Sequence, residues 1–157
     1  MEKIGVLVVD DDTSVRHGLR AILTSDPDIE VVGEAGDGES AVESAKRLRP
    51  AVVLMDIRLP GLNGIDATRE INRTGDRVSV LLLTLHADEA YLREGLRAGA
   101  RGYVLKDAEG LDVITGVKAV ARGGCYFSPS LSRLSDSTLA SARMGTRGGI
   151  APTRARG

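Results

Sequence analysis

The sequence contains no tryptophan, one phenylalanine and three tyrosines. A core built from it must therefore be aliphatic, drawn from Val, Leu, Ile and Ala. The single cysteine, Cys125, excludes an intramolecular disulfide framework. A small buried hydrophobe is the expected role of that side chain. No apolar run is long enough to span a bilayer. The first residues pass straight into a strand-like run, without the pattern of a signal peptide. The two histidines, His17 and His86, have no His or Cys partner at metal spacing, so both are expected on the surface or in loops. A charge excess of one sign is missing as well. Lys and Arg number 21 against 22 Asp and Glu, for a formal net charge of -1. That balance creates no overall pull toward nucleic acid or an anionic membrane. A reducing, cytoplasmic setting is expected.

The 157 residues are 42% hydrophobic, enough for one compact domain plus an extension. Short β-branched runs recur at Ile4 to Val9, Ile29 to Ala35, Ala51 to Met55, Val78 to Leu83 and Gly102 to Leu105. The first, third and fourth are almost continuously apolar, as strands buried on both faces must be. Between them lie helical patterns. Val15, Leu19, Ile22 and Leu23 form one stripe, with Thr13 as its expected N-cap. Ala41, Val42, Ala45 and Leu48 form a second, stopped by Pro50. Ile65, Thr68 and Ile71 mark a third, Leu92 and Leu96 a fourth, and Ile114, Val117 and Ala121 a fifth, ended by Gly123-Gly124. The fourth is the weakest, because Gly95 inside it costs about 1 kcal/mol relative to Ala.

Strand and helix alternating five times predicts an α/β fold with a parallel sheet covered on both faces. With right-handed crossovers, the natural solution is the flavodoxin-like five-stranded order 2-1-3-4-5. In that order strands one and three are neighbours, and their carboxyl ends border the crevice where ligands bind. From about Ser128 the composition turns to Ser, Arg, Gly and Thr. Pro129 to Leu134 suits one more helical turn. The expected division is a folded domain over 1–127 and a basic, largely disordered tail or cut linker over 128–157. The tail arginines Arg143, Arg147, Arg154 and Arg156 are expected to be solvated.

The polar residues gather at the predicted carboxyl edge. Asp10, Asp11 and Asp12 follow the first strand, Asp56 ends the third, Thr84 the fourth, and Lys106 follows the fifth. Two unit charges about 4 Å apart repel by roughly 4 kcal/mol at an effective dielectric of 20, so the clustered carboxylates need an offset. A hard divalent cation with oxygen ligands supplies one, and Mg²⁺ suits few carboxylates completed by water and phosphate. Lys106 supplies a further positive charge. A carboxylate beside a metal, a hydroxyl and an ammonium is suited to covalent phosphoryl transfer.

The motifs Val8-Val9-Asp10-Asp11, Leu54-Met55-Asp56-Ile57-Arg58-Leu59-Pro60-Gly61, Leu83-Thr84 and Gly102-Tyr103-Val104-Leu105-Lys106 resemble those of two-component response-regulator receiver domains, a CheY-like family. The resemblance runs from about Lys3 to Phe127. Ala98-Gly99-Ala100-Arg101-Gly102-Tyr103 and Ser128-Pro129-Ser130 are most similar to the NarL/FixJ-like branch, whose receivers precede a LuxR-type helix-turn-helix. The resemblance implies that Asp56 accepts a phosphoryl group from a phosphohistidine on a sensor histidine kinase. It implies that Asp11 ligates Mg²⁺ directly, that Asp10 acts through bound water, and that the Arg58 backbone carbonyl is a further ligand. Thr84 and Lys106 would grip the phosphoryl oxygens. Tyr103 would turn inward as Thr84 moves, giving a switch whose output is partner binding or a homodimer formed on phosphorylation. Asp12 falls on a variable position of the family and stays outside the site.

Two positions depart from the commonest family pattern. Leu85 stands where many receivers have Ala or Ser, and is expected to narrow access. Asp107 replaces a frequent proline, so a cis Lys106–Asp107 bond would cost about 2.5–4 kcal/mol. Two rival readings remain open at this point. The run Asp10-Asp11-Asp12-Thr13 also resembles the acidic start of haloacid-dehalogenase-like phosphohydrolases, in which Asp10 would be the nucleophile. Against it, no cap domain is evident, Asp56 has no role, and Asp107, Glu109 and Asp112 are scattered. The other rival is a complete DNA-binding regulator. No second helix-turn-helix unit is evident after Phe127, so DNA contact is expected only through an output domain not evident in this chain. A removed domain, a truncated gene and a stand-alone receiver all fit.

Overall fold

The computed structural model describes residues 2–74, 77–85 and 88–131. The apolar runs pair side by side as parallel strands: β1 (Ile4–Val9), β2 (Ile29–Ala35), β3 (Val52–Asp56), β4 (Ser79–Thr84) and β5 (Gly102–Leu105). Between them run α1 (Thr13–Thr24), α2 (Gly38–Leu48), α3 (Gly64–Arg73), α4 (Glu89–Ala98) and, after β5, α5 (Gly110–Ala121). The expected order stands, with one addition. A sixth strand, β6 (Tyr126–Phe127), pairs parallel to β5 and extends the sheet to β2-β1-β3-β4-β5-β6. Two residues are too few to show a period of two, so no sequence pattern marks it. Gly102 makes the pairing possible, because a Cβ there would lie 1.7 Å from the Tyr126 carbonyl oxygen.

Strand alternation divides the core into two layers. Val53 and Met55 of β3 pack with α2, α3 and α4 through Ala41, Ala45, Ile71 and Leu92. Val52 and Leu54 pack with α1 and α5 through Leu19, Leu23, Val117 and Val120. All five residues of β3 are buried, which accounts for its unbroken apolar run.

Local chemistry corrects two expectations. The N-cap of α1 is Asp12, not Thr13: Asp12 Oδ1 accepts from the Ser14 and Val15 N–H groups at 2.8 and 3.4 Å. Thr13 becomes the first helical residue, and a carboxylate at the helix start is favoured by the dipole. Cys125 is exposed rather than buried, because it lies on the short link between α5 and β6. His17 is exposed, as expected, while His86 lies outside the described residues. The extra helical turn expected from Pro129 is a 3₁₀ turn over Pro129–Leu131 that buries Leu131 in the core. Residues 132–157, which hold most of the expected tail, lie outside the described residues.

Gly95 finds its reason in packing. A Cβ on it would lie 1.9 Å from the Tyr103 hydroxyl oxygen, so the weakest helix is weakened to admit the largest buried side chain. Gly95→Ala should therefore destabilise the protein by about 1–3 kcal/mol despite alanine's better helix propensity. Tyr103→Phe in that background should restore part of the loss, because the clashing atom is the hydroxyl. Urea unfolding of the two single variants and the double variant measures both.

Candidate functional site

Sheet register builds the site. Val9 of β1 pairs with Met55 of β3, so the next residues, Asp10 and Asp56, leave adjacent strands at the same level. Asp56 is the last residue of β3 and Thr84 the last of β4. The Lys106 N–H donates to the Thr84 carbonyl at 2.8 Å, which sets the lysine at the same edge just after β5. Asp10, Asp56 and Thr84 are all buried, while Asp11 is exposed.

The three carboxylates converge. Asp10, Asp11 and Asp56 each place an oxygen within 4.8 Å of the others. Lys106 Nζ lies 2.9 Å from Asp10 Oδ2 and 3.0 Å from Asp56 Oδ2, and only the Asp56 contact has hydrogen-bond geometry. Asp10 Oδ2 is thus a fully buried anionic oxygen with ion-pair contact alone. The remaining oxygens are turned by backbone groups. The Asp12 N–H donates to Asp10 Oδ1 at 2.9 Å, and the Arg58 N–H donates to Asp56 Oδ1 at 3.3 Å. An all-oxygen cluster with an under-bonded buried carboxylate fits a hard divalent cation.

Burial pushes the Asp56 pKa up from its ordinary 3.8. The hydrogen bond and charge of Lys106 oppose that rise, and the Asp10 charge adds to it. Burial alone would lower the pKa of Lys106. The Asp10 and Asp56 carboxylates outweigh it, and the ammonium titrates above its ordinary 10.5. Lysine therefore stays charged in the site, and its stabilisation fades only as pH rises through that raised value.

Asp56 opens onto a crevice that it shares with Thr84, Lys106, Leu85, Asp88 and Tyr91. Leu85 borders that crevice and is 59% exposed. Tyr91 and Asp88 of the α4 entrance were not legible as site residues. Asp88 caps α4 through its side chain, a local role with no signature of the crevice. Tyr103 is fully buried and its hydroxyl donates to the Tyr91 backbone carbonyl, with Leu92 O at 3.5 Å. The inward-facing aromatic and the crevice thus meet at one residue, Tyr91. Among the described residues no peptide bond is cis, so the Lys106–Asp107 bond is trans.

A parallel α/β sheet with three carboxylates and a lysine at its carboxyl edge is the build of a signalling receiver. The response regulator receiver domain model matches residues 6–118. The chain is 42% identical over 130 residues to the transcriptional regulatory protein DegU of Brevibacillus brevis, covering 83% of this chain and 55% of that protein. It is 38% identical over 130 residues to the response regulator UvrY of Escherichia coli (strain K12), covering 83% and 60%. Among solved structures, the signal receiver domain of NarL from Mycobacterium tuberculosis superposes with a TM-score of 0.77 at 34% identity, covering 78% of this chain and 99% of that one. A two-component response regulator of the LuxR family from Aurantimonas sp. SI85-9A1 gives 0.82 at 30% identity, covering 88% and 99%.

The chain belongs to the response regulator receiver family of two-component systems, and its relatives are LuxR/NarL-type regulators. It spans 55% and 60% of the length of these two curated relatives. The phosphohydrolase alternative is set aside by this membership, and Asp10, its supposed nucleophile, is fully buried against Lys106. No helix among the described residues is long and apolar enough to cross a membrane.

A carboxyl whose pKa is raised by folding holds its proton more tightly in the folded state, so its ionised form subtracts stability at neutral pH. In metal-free buffer at pH 7, Asp56→Asn should be more stable than the parent. Its advantage should shrink as pH falls through the raised Asp56 value toward 3.8. Free Mg²⁺ at ten times its Kd should stabilise the parent by about 1.4 kcal/mol and the variant much less. Thermal unfolding across pH, with and without Mg²⁺, reads both effects, and an Asp56→Asn protein less stable at pH 7 would contradict the assignment.

Proposed function

We propose that Asp56 is the phosphoacceptor of this receiver and takes its phosphoryl group from a phosphohistidine of a sensor histidine kinase. The observation that carries the reading is the Lys106 ammonium held 3.0 Å from Asp56 Oδ2 at the mouth of an open crevice. The Asp56 carboxylate oxygen attacks phosphorus, the phosphorus–nitrogen bond breaks, and its electron pair returns to the imidazole of the donor. Burial keeps Asp56 poorly solvated and ready to react, while Lys106 keeps it oriented.

Mg²⁺ fits the acidic cluster, with Asp11 and Asp56 as direct ligands, Asp10 acting through water and the Arg58 carbonyl completing the protein's share. When bound, the ion would neutralise negative charge on the transferring group. Lys106 would turn from Asp10 toward a phosphoryl oxygen, and Thr84 would donate its hydroxyl to another. The domain catalyses only its own phosphorylation and dephosphorylation, and turns over no separate substrate.

The new group adds about −1.5 to −2 charges and three strong acceptors. Thr84 and Lys106 follow those oxygens, and Tyr103 couples the shift to α4. Reversing a 1:99 population requires about 5.5 kcal/mol of preference for the active state, within reach of a few charge-assisted bonds. The receiver unit is taken to span about residues 1–127, and the Pro129–Leu131 turn packs onto it through the buried Leu131. The output is homodimer formation on phosphorylation and, in the cytoplasm, transcriptional control in which DNA is reached only through an output domain. The relatives that are transcriptional regulators, and the RcsB dimers bound to DNA among the structural neighbours, support that output.

Acetyl phosphate with Mg²⁺ should add the mass of one phosphoryl group, mapped to Asp56. Asp56→Asn should abolish the label. Thr84→Ala should slow labelling roughly tenfold or more through loss of one donor to the transferring group. Intact-mass time courses distinguish these outcomes, and undiminished labelling of Asp56→Asn would exclude the proposed acceptor.

A further inference from the structure

Asp11 is the exposed member of the acidic cluster, and among the described residues no hydrogen bond or ion pair holds its carboxylate. The backbone therefore sets where this side chain starts. That backbone is leaving the sheet. The Asp10 N–H makes the last bond toward β2, to the Ala35 carbonyl at 3.1 Å. The Asp10 carbonyl, which begins the peptide joining Asp10 to Asp11, accepts instead from Arg16 Nη1 at 2.5 Å. A hydrogen bond from a guanidinium to a carbonyl is charge-assisted.

Arg16 is itself fixed from three sides. Its Nε donates to Glu34 Oε1 of β2 at 3.1 Å, and its Nη2 donates to Thr13 Oγ1 at 3.2 Å. The other oxygen of Glu34 is held by Arg20 Nε at 2.8 Å. The Arg16 side chain is 18% exposed, and that of Glu34 24%. The planar fork can serve three acceptors in different directions at once, which an ammonium on a flexible stem cannot do in the same way.

We infer that Arg16 is a positioning residue for the metal site: by clamping the Asp10 carbonyl it fixes the peptide between Asp10 and Asp11, and so presents Asp11 to the cation. The inference rests on the reading of Asp10, Asp11 and Asp56 as the Mg²⁺ site. Arg16 touches neither cation nor phosphoryl group. It acts as an outer partner through the main chain, for a carboxylate that among the described residues has no hydrogen bond or ion pair of its own.

The test uses the full chain and Mn²⁺ as the probe, with free ion read from its EPR signal. Arg16→Gln should raise the Mn²⁺ Kd about tenfold at a temperature where circular dichroism shows the variant fully folded, the scale of an outer-partner loss. The rate of acetyl phosphate labelling at saturating Mg²⁺ should return to near the parent value. Arg16→Lys should fall between the two. A merely structural role would lower the unfolding midpoint and leave Kd unmoved, so an Arg16→Gln affinity within about twofold of the parent overturns the inference. Where Arg16→Gln fails to fold, Glu34→Gln carries the same test, because it loosens the guanidinium without removing it. A raised Kd supports the clamp and an unchanged one overturns it. A parent protein that binds Mn²⁺ but takes no label on Asp56 would instead defeat the phosphoacceptor reading, leaving the clamp to be judged on the Kd comparison alone.

Discussion

One ammonium group between two buried carboxylates is the constraint on which the structure turns. The oxygens of Asp10 and Asp56 lie within 4.8 Å of each other, close enough to repel by roughly 3 to 4 kcal/mol at an effective dielectric of about 20. Lys106 sits about 3 Å from both and offsets that repulsion. Burial, with the Asp10 charge adding to it, still leaves Asp56 harder to ionise than a free aspartate, even with Lys106 beside it. A site in that condition gains by taking up a cation. The parallel register of β1 and β3 supplies the carboxylates, and β5 supplies the lysine. The two aliphatic layers pack against both faces of those strands.

The strand that Lys106 follows, β5, is tied to the rest of the molecule on both sides. Toward α4, Tyr103 fills the space left by Gly95 and bonds to the backbone of Tyr91, a residue of the crevice. Toward the end of the described chain, the Ser128 N–H donates to the Tyr103 carbonyl at 3.0 Å, and Ser128 Oγ accepts from the Leu105 N–H at 3.1 Å. Asp112 of α5 gathers Ser128 Oγ at 2.6 Å together with the Tyr126 hydroxyl. Burial, with the Asp112 carboxylate adding to it, pushes the Tyr126 pKa up to about 12. Hydrogen bonds thus connect the residues of β5 to α4, to α5 and to Tyr126 and Ser128.

Most of the architecture was legible because buried parallel strands leave a strong signal. Val52 to Met55 has no polar residue to confuse it, and Asp56 directly after it reads as a residue displaced from the core for a purpose. The site was legible through the joint placement of Asp10, Asp11, Asp56, Thr84 and Lys106 at strand ends, which no single residue would have shown. What was not legible depended on contacts across the fold. β6 is too short for periodicity, and Cys125 is exposed by the link it occupies. Asp12 competed with Thr13 for a cap that only the turn geometry decides. Arg16 looks in the sequence like one more charge on the solvent face of α1. Its hold on the Asp10 carbonyl exists only once β2 brings Glu34 alongside.

The central claim is that Lys106 occupies, between Asp10 and Asp56, a position it gives up when the site is charged. A crystal structure of the protein with Mg²⁺ and beryllofluoride tests it most directly. The account predicts beryllium bonded to Asp56, the cation in contact with Asp11 and Asp56, and Lys106 Nζ withdrawn from Asp10 onto a fluorine. Lys106 still paired with Asp10, or a cation bound away from Asp11, would contradict it.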